Sequence, residues 1–182
     1  MRQLDSVIVF LERKRDLLKL IRATATVLVI LAAVVGIAAS FLLSVLRVDG
    51  TSMNPSLIKD DVVLVVHNSA VARGDVVAFS YGGKILIKRV VAVAGEWVDI
   101  DGDGIVSIDG VPLREPYVNA PNLGECDLSF PYQVPEGTVF VMGDNRAVSE
   151  DSRLSVIGPV EKDQIVGKVV FRLWPFMRIA LI

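Results

Sequence analysis

Lys84-Ile85-Leu86-Ile87-Lys88-Arg89-Val90-Val91-Ala92-Val93-Ala94 is the stretch that sets the fold class. It is rich in β-branched residues, partly alternating, and follows the Gly82-Gly83 turn signal, so it predicts a strand. Working outward, Val62–Val66 and Val76–Phe79 read the same way on one side. Ile105–Ile108, Thr138–Met142 and Ile165–Leu173 do so on the other. Arg73-Gly74-Asp75, Asp109-Gly110 and Pro135-Glu136-Gly137 punctuate the runs. Many short strands with Gly/Pro punctuation and no long helical period predict a mainly β domain. Residues 112–135 hold Pro112, Pro116, Pro121, Pro131 and Pro135 and show little periodicity. They read as a long, irregular excursion from the core sheet.

The N-terminal part is different. Ala23 to Leu46 is a run of 24 residues without a charge, and a helix needs about 20 to cross the hydrocarbon core. The basic N-terminus and Ala38-Ala39-Ser40 leave a cleavable signal peptide as the competing reading, but its apolar core should be only about 7–15 residues. The expected organisation is therefore a tail over residues 1–22, a transmembrane helix over 23–46 and an outer β domain over 47–182. Arg2, Arg13, Lys14, Arg15, Lys19 and Arg22 outnumber Asp5, Glu12 and Asp16 before the span, which predicts a cytoplasmic N-terminus in a plasma membrane. Leu4, Val7, Ile8, Leu11, Leu18 and Ile21 stand near helical spacing, so the tail reads either as an amphipathic helix on the inner leaflet or as a polar stub.

Composition removes other classes. A net charge of −2 argues against nucleic acid as a partner. One cysteine, Cys126, and one histidine, His67, exclude the usual zinc spacings, and no cofactor is expected. Asp99-Ile-Asp101-Gly-Asp103-Gly104 matches the first half of a calcium loop, but Gly110 stands where that loop needs Glu, and Asp-Gly is also a hairpin turn.

Three segments carry chemistry. Ser52 lies in Gly50-Thr51-Ser52-Met53-Asn54-Pro55-Ser56-Leu57, six residues past the uncharged run. An extended link of that length reaches at most roughly 20 Å, which predicts a hydroxyl held close to a bilayer. A serine needs a base, and nothing in the sequence brings His67 to Ser52. A lysine serves if its amine is neutral, and burial favours the neutral form. Strand alternation predicts that Lys88 shares a face with Leu86, Val90 and Ala92, and Arg89 the other with Ile87 and Val91. Taken alone, Lys88 is more often a lysine that snorkels from a sheet edge. The third segment is Met142-Gly143-Asp144-Asn145-Arg146-Ala147-Val148-Ser149-Glu150-Asp151-Ser152-Arg153, dense in turn formers. Arg146 and Arg153 are expected to pair with its acids, and Ser149 to bond a lysine amine.

Together these segments resemble the bacterial type I signal peptidases, which use a Ser/Lys dyad. The likeness rests on Ser52-Met53-x-Pro55-x-Leu57, Lys88-Arg89-Val90, Gly143-Asp144-Asn145-Arg146 and Ser149-x-Asp151-Ser152-Arg153, with Gly158-Pro159-Val160 and Ile165-Val166-Gly167-Lys168 behind them. It implies a β-rich, partly barrel-like catalytic domain behind one span, and cleavage of signal peptides after Ala-x-Ala. Ser52 would be the nucleophile, Lys88 the general base and Ser149 its orienting hydroxyl. Asp151 and Arg153 would form an ion pair with Asp144 in support, and Met53 and Pro55 would shape the substrate entry. The implied partners are preproteins emerging from a secretion channel, and the bilayer, which Met53 and Leu57 would also touch. Some members carry a hydroxyl two residues before the nucleophile as second oxyanion donor; Gly50 stands there in this chain. Alternatives are another Ser/Lys peptidase, such as a pilus- or conjugation-linked enzyme or a LexA-like self-cleaving protein, and a tethered β domain that only binds exported chains.

Overall fold

The computed structural model describes the backbone of residues 2–182, with side chains from residue 14 onward except 16 and 38. It divides into two units, residues 1–41 and 42–182. The first is one helix, α1 (Arg2–Leu42). Its segment Leu17–Leu42, 26 residues, is long and apolar enough to cross a membrane. The amphipathic pattern expected of the tail falls largely on side chains outside the described residues.

The second unit holds twelve strands: β1 (Leu43–Arg47), β2 (Val62–Val66), β3 (Val76–Tyr81), β4 (Lys84–Val93), β5 (Trp97–Ile100), β6 (Val106–Ile108), β7 (Val111–Pro112), β8 (Tyr132–Gln133), β9 (Thr138–Met142), β10 (Val160–Glu161), β11 (Ile165–Trp174) and β12 (Ala180–Leu181). The helix thus stops four residues before the uncharged run does. Leu43–Arg47 instead pair antiparallel with β2, and Leu46 packs on the core. Composition alone cannot separate an apolar strand from the end of an apolar helix.

The large sheet runs β1-β2-β11-β3-β4-β9-β10, with β12 on β11, and a smaller sheet runs β7-β6-β5-β8. β3 pairs with β4 along Lys84–Arg89, but β9 pairs with β4 only from Arg89 to Val93. The Lys84–Lys88 half of β4 therefore keeps one ladder edge free among the described residues. A register shift between Val90 and Ala92 breaks strict alternation. Ala92 consequently packs with Val91 in the cluster against the small sheet, while Val90 stays with Val77 and Phe79. The expected Lys88 face ends at Val90, because a bulge inserts one residue and resets which side the next one faces.

The 112–135 segment is irregular but anchored. Leu113, Leu123, Leu128, Phe130 and Tyr132 pack against the cluster of Val98, Ile108, Phe140 and Met142. Asp101 Oδ1 accepts from the N–H groups of Asp103 and Ile105, so the Asp-Gly run closes the β5–β6 hairpin.

Candidate active site

Ser52 is set by a short loop whose base is closed by two backbone bonds, Val48 N–H to Asp61 O and Asp60 N–H to Val48 O, at 2.8 and 2.9 Å. Met53 and Leu57 plug this loop into a core of Val48, Val63, Val65, Val76, Ala78 and Val169. Their exposures of 2% and 0% leave them nothing to offer a lipid, against the expectation above. Burial of these two large apolar side chains instead fixes the loop that carries Ser52. Ser56 is gripped from both sides: Arg89 Nη2 donates to its Oγ (3.2 Å) and Arg172 Nη1 to its carbonyl (2.8 Å). The Ser52 carbonyl accepts from Asn145 N–H at 2.9 Å. Its own N–H makes no hydrogen bond among the described residues.

Lys88 reaches this hydroxyl from β4, with Nζ 2.7 Å from Ser52 Oγ. The lysine is 4% exposed. Its strand neighbours Leu86 and Val90 and its cross-strand partner Val77 are apolar. Burial pushes its pKa below the ordinary 10.5; Asp151, Glu150 and Asp144 pull the other way and Arg153 adds to the fall. Burial prevails, and two of those carboxylates, Asp151 and Asp144, are already engaged. Asp151 and Arg153 have no exposed surface. Arg153 Nε and Nη2 donate to the two oxygens of Asp151 at 2.8 and 2.9 Å, and Gly143 N–H donates to Asp151 Oδ2 at 3.0 Å. Arg153 Nη1 also donates to Leu123 O, 2.6 Å away in the irregular segment.

Asp144 is taken by Arg89, the neighbour of Lys88 in the chain, through bonds of 2.8 and 2.7 Å. Burial opposes the charge on Arg89, but the hydrogen bond and charge of Asp144 raise its pKa overall. Arg146 does not pair with an acid of its own segment, as the sequence suggested. It pairs with Glu115, 31 residues away. Arg146 is buried where the turn meets the irregular excursion, and Glu115 is the carboxylate that meets it there.

Ser149 is buried, and its hydroxyl makes no hydrogen bond among the described residues, Lys88 included. Its place beside Ser52 is fixed through Gly143: a Cβ there would overlap both Ser149 Oγ and the Ser52 carbonyl. That glycine leaves the room into which Ser149 Oγ and the Ser52 carbonyl pack, a demand its turn-rich context did not distinguish from ordinary turn chemistry. Pro55 is exposed and does not line the cleft beside Ser52, whereas Met53 does. That cleft, of about 110 Å³, lies between Leu46–Gly50 and Ile85–Lys88. Gly50 has φ +114° and no side-chain donor. His67 Nε2 is 2.8 Å from Ser44 Oγ rather than Ser52. No cluster of three metal-ligating side chains occurs among the described residues.

A family profile described as signal peptidase, peptidase S26, matches residues 20–174. Signal peptidase IB of Staphylococcus aureus is 34% identical over 185 aligned positions, covering 90% of this chain and 92% of that protein. The chloroplastic thylakoidal processing peptidase 1 of Arabidopsis thaliana is 37% identical over 145 positions, 70% of this chain and 41% of that protein. The crystal structure of a signal peptidase I from Enterococcus faecalis V583 matches with a TM-score of 0.47 and 30% identity, over 55% of this chain and 97% of that one.

Proposed function

The chain belongs to the signal peptidase family, peptidase S26, and we propose that it cleaves signal peptides from exported preproteins with Ser52 as nucleophile and Lys88 as general base. The observation that carries this assignment is the 2.7 Å contact between a hydroxyl and an amine whose pKa burial lowers.

In its neutral form Lys88 accepts the Ser52 proton as Oγ attacks the carbonyl carbon before the scissile bond. The oxyanion that forms is met by the unoccupied Ser52 N–H, with Gly50 contributing no side-chain donor. The lysinium returns its proton to the leaving amine, which frees the mature protein and leaves an ester on Ser52. Lys88 then deprotonates a water that hydrolyses the ester. Ser149, buried against Gly143 with a hydroxyl unbonded among the described residues, is the group proposed to orient the amine. Asp151, Arg153 and Asp144 hold the backbone around it without supplying a free charge.

The substrate is an extended chain that adds a strand along the free edge of β4 at Lys84–Lys88 and faces Leu46–Asp49. Alternate side chains of such a strand point into the cleft. Its walls of Leu46, Met53, Ile85, Leu86 and Ile87 and its small volume favour Ala at the two positions that enter. Pro55 contributes by shaping the loop rather than the cleft wall. The excess of basic residues before the apolar segment orients the N-terminus to the cytoplasm and the catalytic unit outward, where preproteins leave a secretion channel.

The test is incubation of the purified full chain, in detergent or vesicles, with a signal-peptide-bearing preprotein, followed by N-terminal sequencing of the product. One cut after Ala-x-Ala, lost in Ser52→Ala and in Lys88→Ala, is the expected result. Cleavage that survives either substitution overturns the assignment.

A further inference from the structure

The irregular 112–135 segment sends two side chains into the charged layer behind the dyad. Glu115 receives Arg146 bidentately, from Nη1 at 3.0 Å and Nη2 at 2.5 Å. Arg146 is 1% exposed, and its Nε donates to Gly143 O at 3.0 Å. Gly143 is the residue against which Ser149 and the Ser52 carbonyl pack. Two residues on, the Tyr117 ring lies under the Arg89 guanidinium, 4.1 Å from its centroid, and its hydroxyl donates to Glu115 Oε1 at 3.0 Å. Arg89 in turn holds Asp144 and Ser56 and follows Lys88 in β4. Burial, helped by Glu115, pushes the Tyr117 phenol far above its ordinary pKa, so it stays a donor. Glu115 and Asp144 balance Arg89 and Arg146, so the buried cluster is neutral and each member has a partner.

We propose that Glu115 and Tyr117 are positioning residues for the Ser52–Lys88 pair, acting through Arg146 on the Gly143 loop and through Arg89 on the nucleophile loop. The inference rests on the dyad assignment above. Neither residue bonds Ser52 or Lys88; each fixes a guanidinium that does contact the loops holding them. Without Glu115, Arg146 is a buried cation lacking its carboxylate, and the turn Gly143–Arg146 loses its outer support. A dyad distance is sensitive to such a loss, because proton transfer and attack need the reacting atoms held to within a few tenths of an ångström. Glu115 is not among the leading influences on Lys88, which are burial and the charges of Asp151, Glu150, Arg153 and Asp144. A positioning role therefore lowers turnover without moving the pH at which the base titrates.

The experiment compares full-length wild type, Glu115→Gln, Glu115→Asp and Tyr117→Leu, with Lys88→Ala as the control for the dyad itself. It measures kcat and KM on a preprotein across a pH series, and thermal melts. Glu115→Gln is expected to lose about 10- to 100-fold in kcat, with KM within about threefold and the acid limb at its wild-type pH. Glu115→Asp, which keeps the charge, recovers part of that loss, and Tyr117→Leu loses about fivefold in kcat. Folded variants with wild-type kcat overturn the proposal. So does a loss confined to KM, which would make the segment a substrate contact. Should Glu115→Gln fail to fold, Tyr117→Leu decides by the same criterion. An active Lys88→Ala would instead overturn the dyad, independently of Glu115.

Discussion

Lys88 and Arg89 are consecutive residues of one strand, both buried, yet their surroundings treat the two cations in opposite ways. Arg89 meets a dedicated carboxylate, Asp144, and an aromatic ring, so burial does not remove its charge. Lys88 meets a hydroxyl and apolar side chains, and the carboxylate with the largest influence on it, Asp151, is bound by Arg153 and the Gly143 N–H. Strand alternation separates the two residues onto different faces, which lets one position be structural while the next is chemical. Burial alone does not lower the pKa of a cation; burial without a dedicated counter-charge does.

The largest effect should come from removing the uncompensated amine or its partner. Lys88→Ala and Ser52→Ala are each expected to lower kcat by about 10,000-fold or more while the fold remains, checked by single-turnover cleavage and circular dichroism. Lys88→Met should also melt at a higher temperature than wild type at neutral pH. The sign follows from linkage: the folded-state pKa lies below the unfolded one, so below the folded pKa the buried amine carries its full destabilisation. Wild type then gains stability as pH rises from that value towards 10.5, and the advantage of Lys88→Met shrinks over the same range.

The contrast sharpens on the other face. Arg89→Met leaves Asp144 buried without its partner and is expected to cost about 3–5 kcal/mol of stability, measured by denaturant unfolding of the solubilised chain. Gly143→Ala sets a methyl group against Ser149 Oγ and the Ser52 carbonyl, and should lower kcat about 100-fold, read from initial cleavage rates. The smallest effect belongs to Glu150, an exposed acid that favours the charged form of Lys88. Glu150→Gln removes that influence, so the acid limb of the pH–rate profile should move by a few tenths of a unit to lower pH, with kcat on the plateau unchanged.

Much of this contrast was legible in the sequence. The apolar run around Lys88 announced a strand, and period two separated Lys88 from Arg89. The bounds of Val62–Val66 and Thr138–Met142 coincide with β2 and β9 because β-branched runs between turns leave few alternatives. Other features had no local signal. Leu43–Arg47 looks like more helix until its pairing with β2 is known. Arg146 and Glu115 stand 31 positions apart, as do Arg153 and Asn122 O, and polar contacts between loops carry no period. The irregular segment hid its role for the same reason: Leu113, Leu123, Leu128 and Phe130 follow the shape of the core rather than a repeat. Ser149 was placed by resemblance at the amine, and the structure puts it against Gly143 with its hydroxyl unbonded.

The most direct measurement is a titration of Lys88 itself, by NMR of the full chain in micelles with ¹³C at the lysine Cε positions, the resonance being identified by its loss in Lys88→Met. The account predicts that this one signal titrates well below the ordinary lysine value and at the same pH as the acid limb of kcat/KM. Titration together with the exposed lysines, near 10.5, would contradict it.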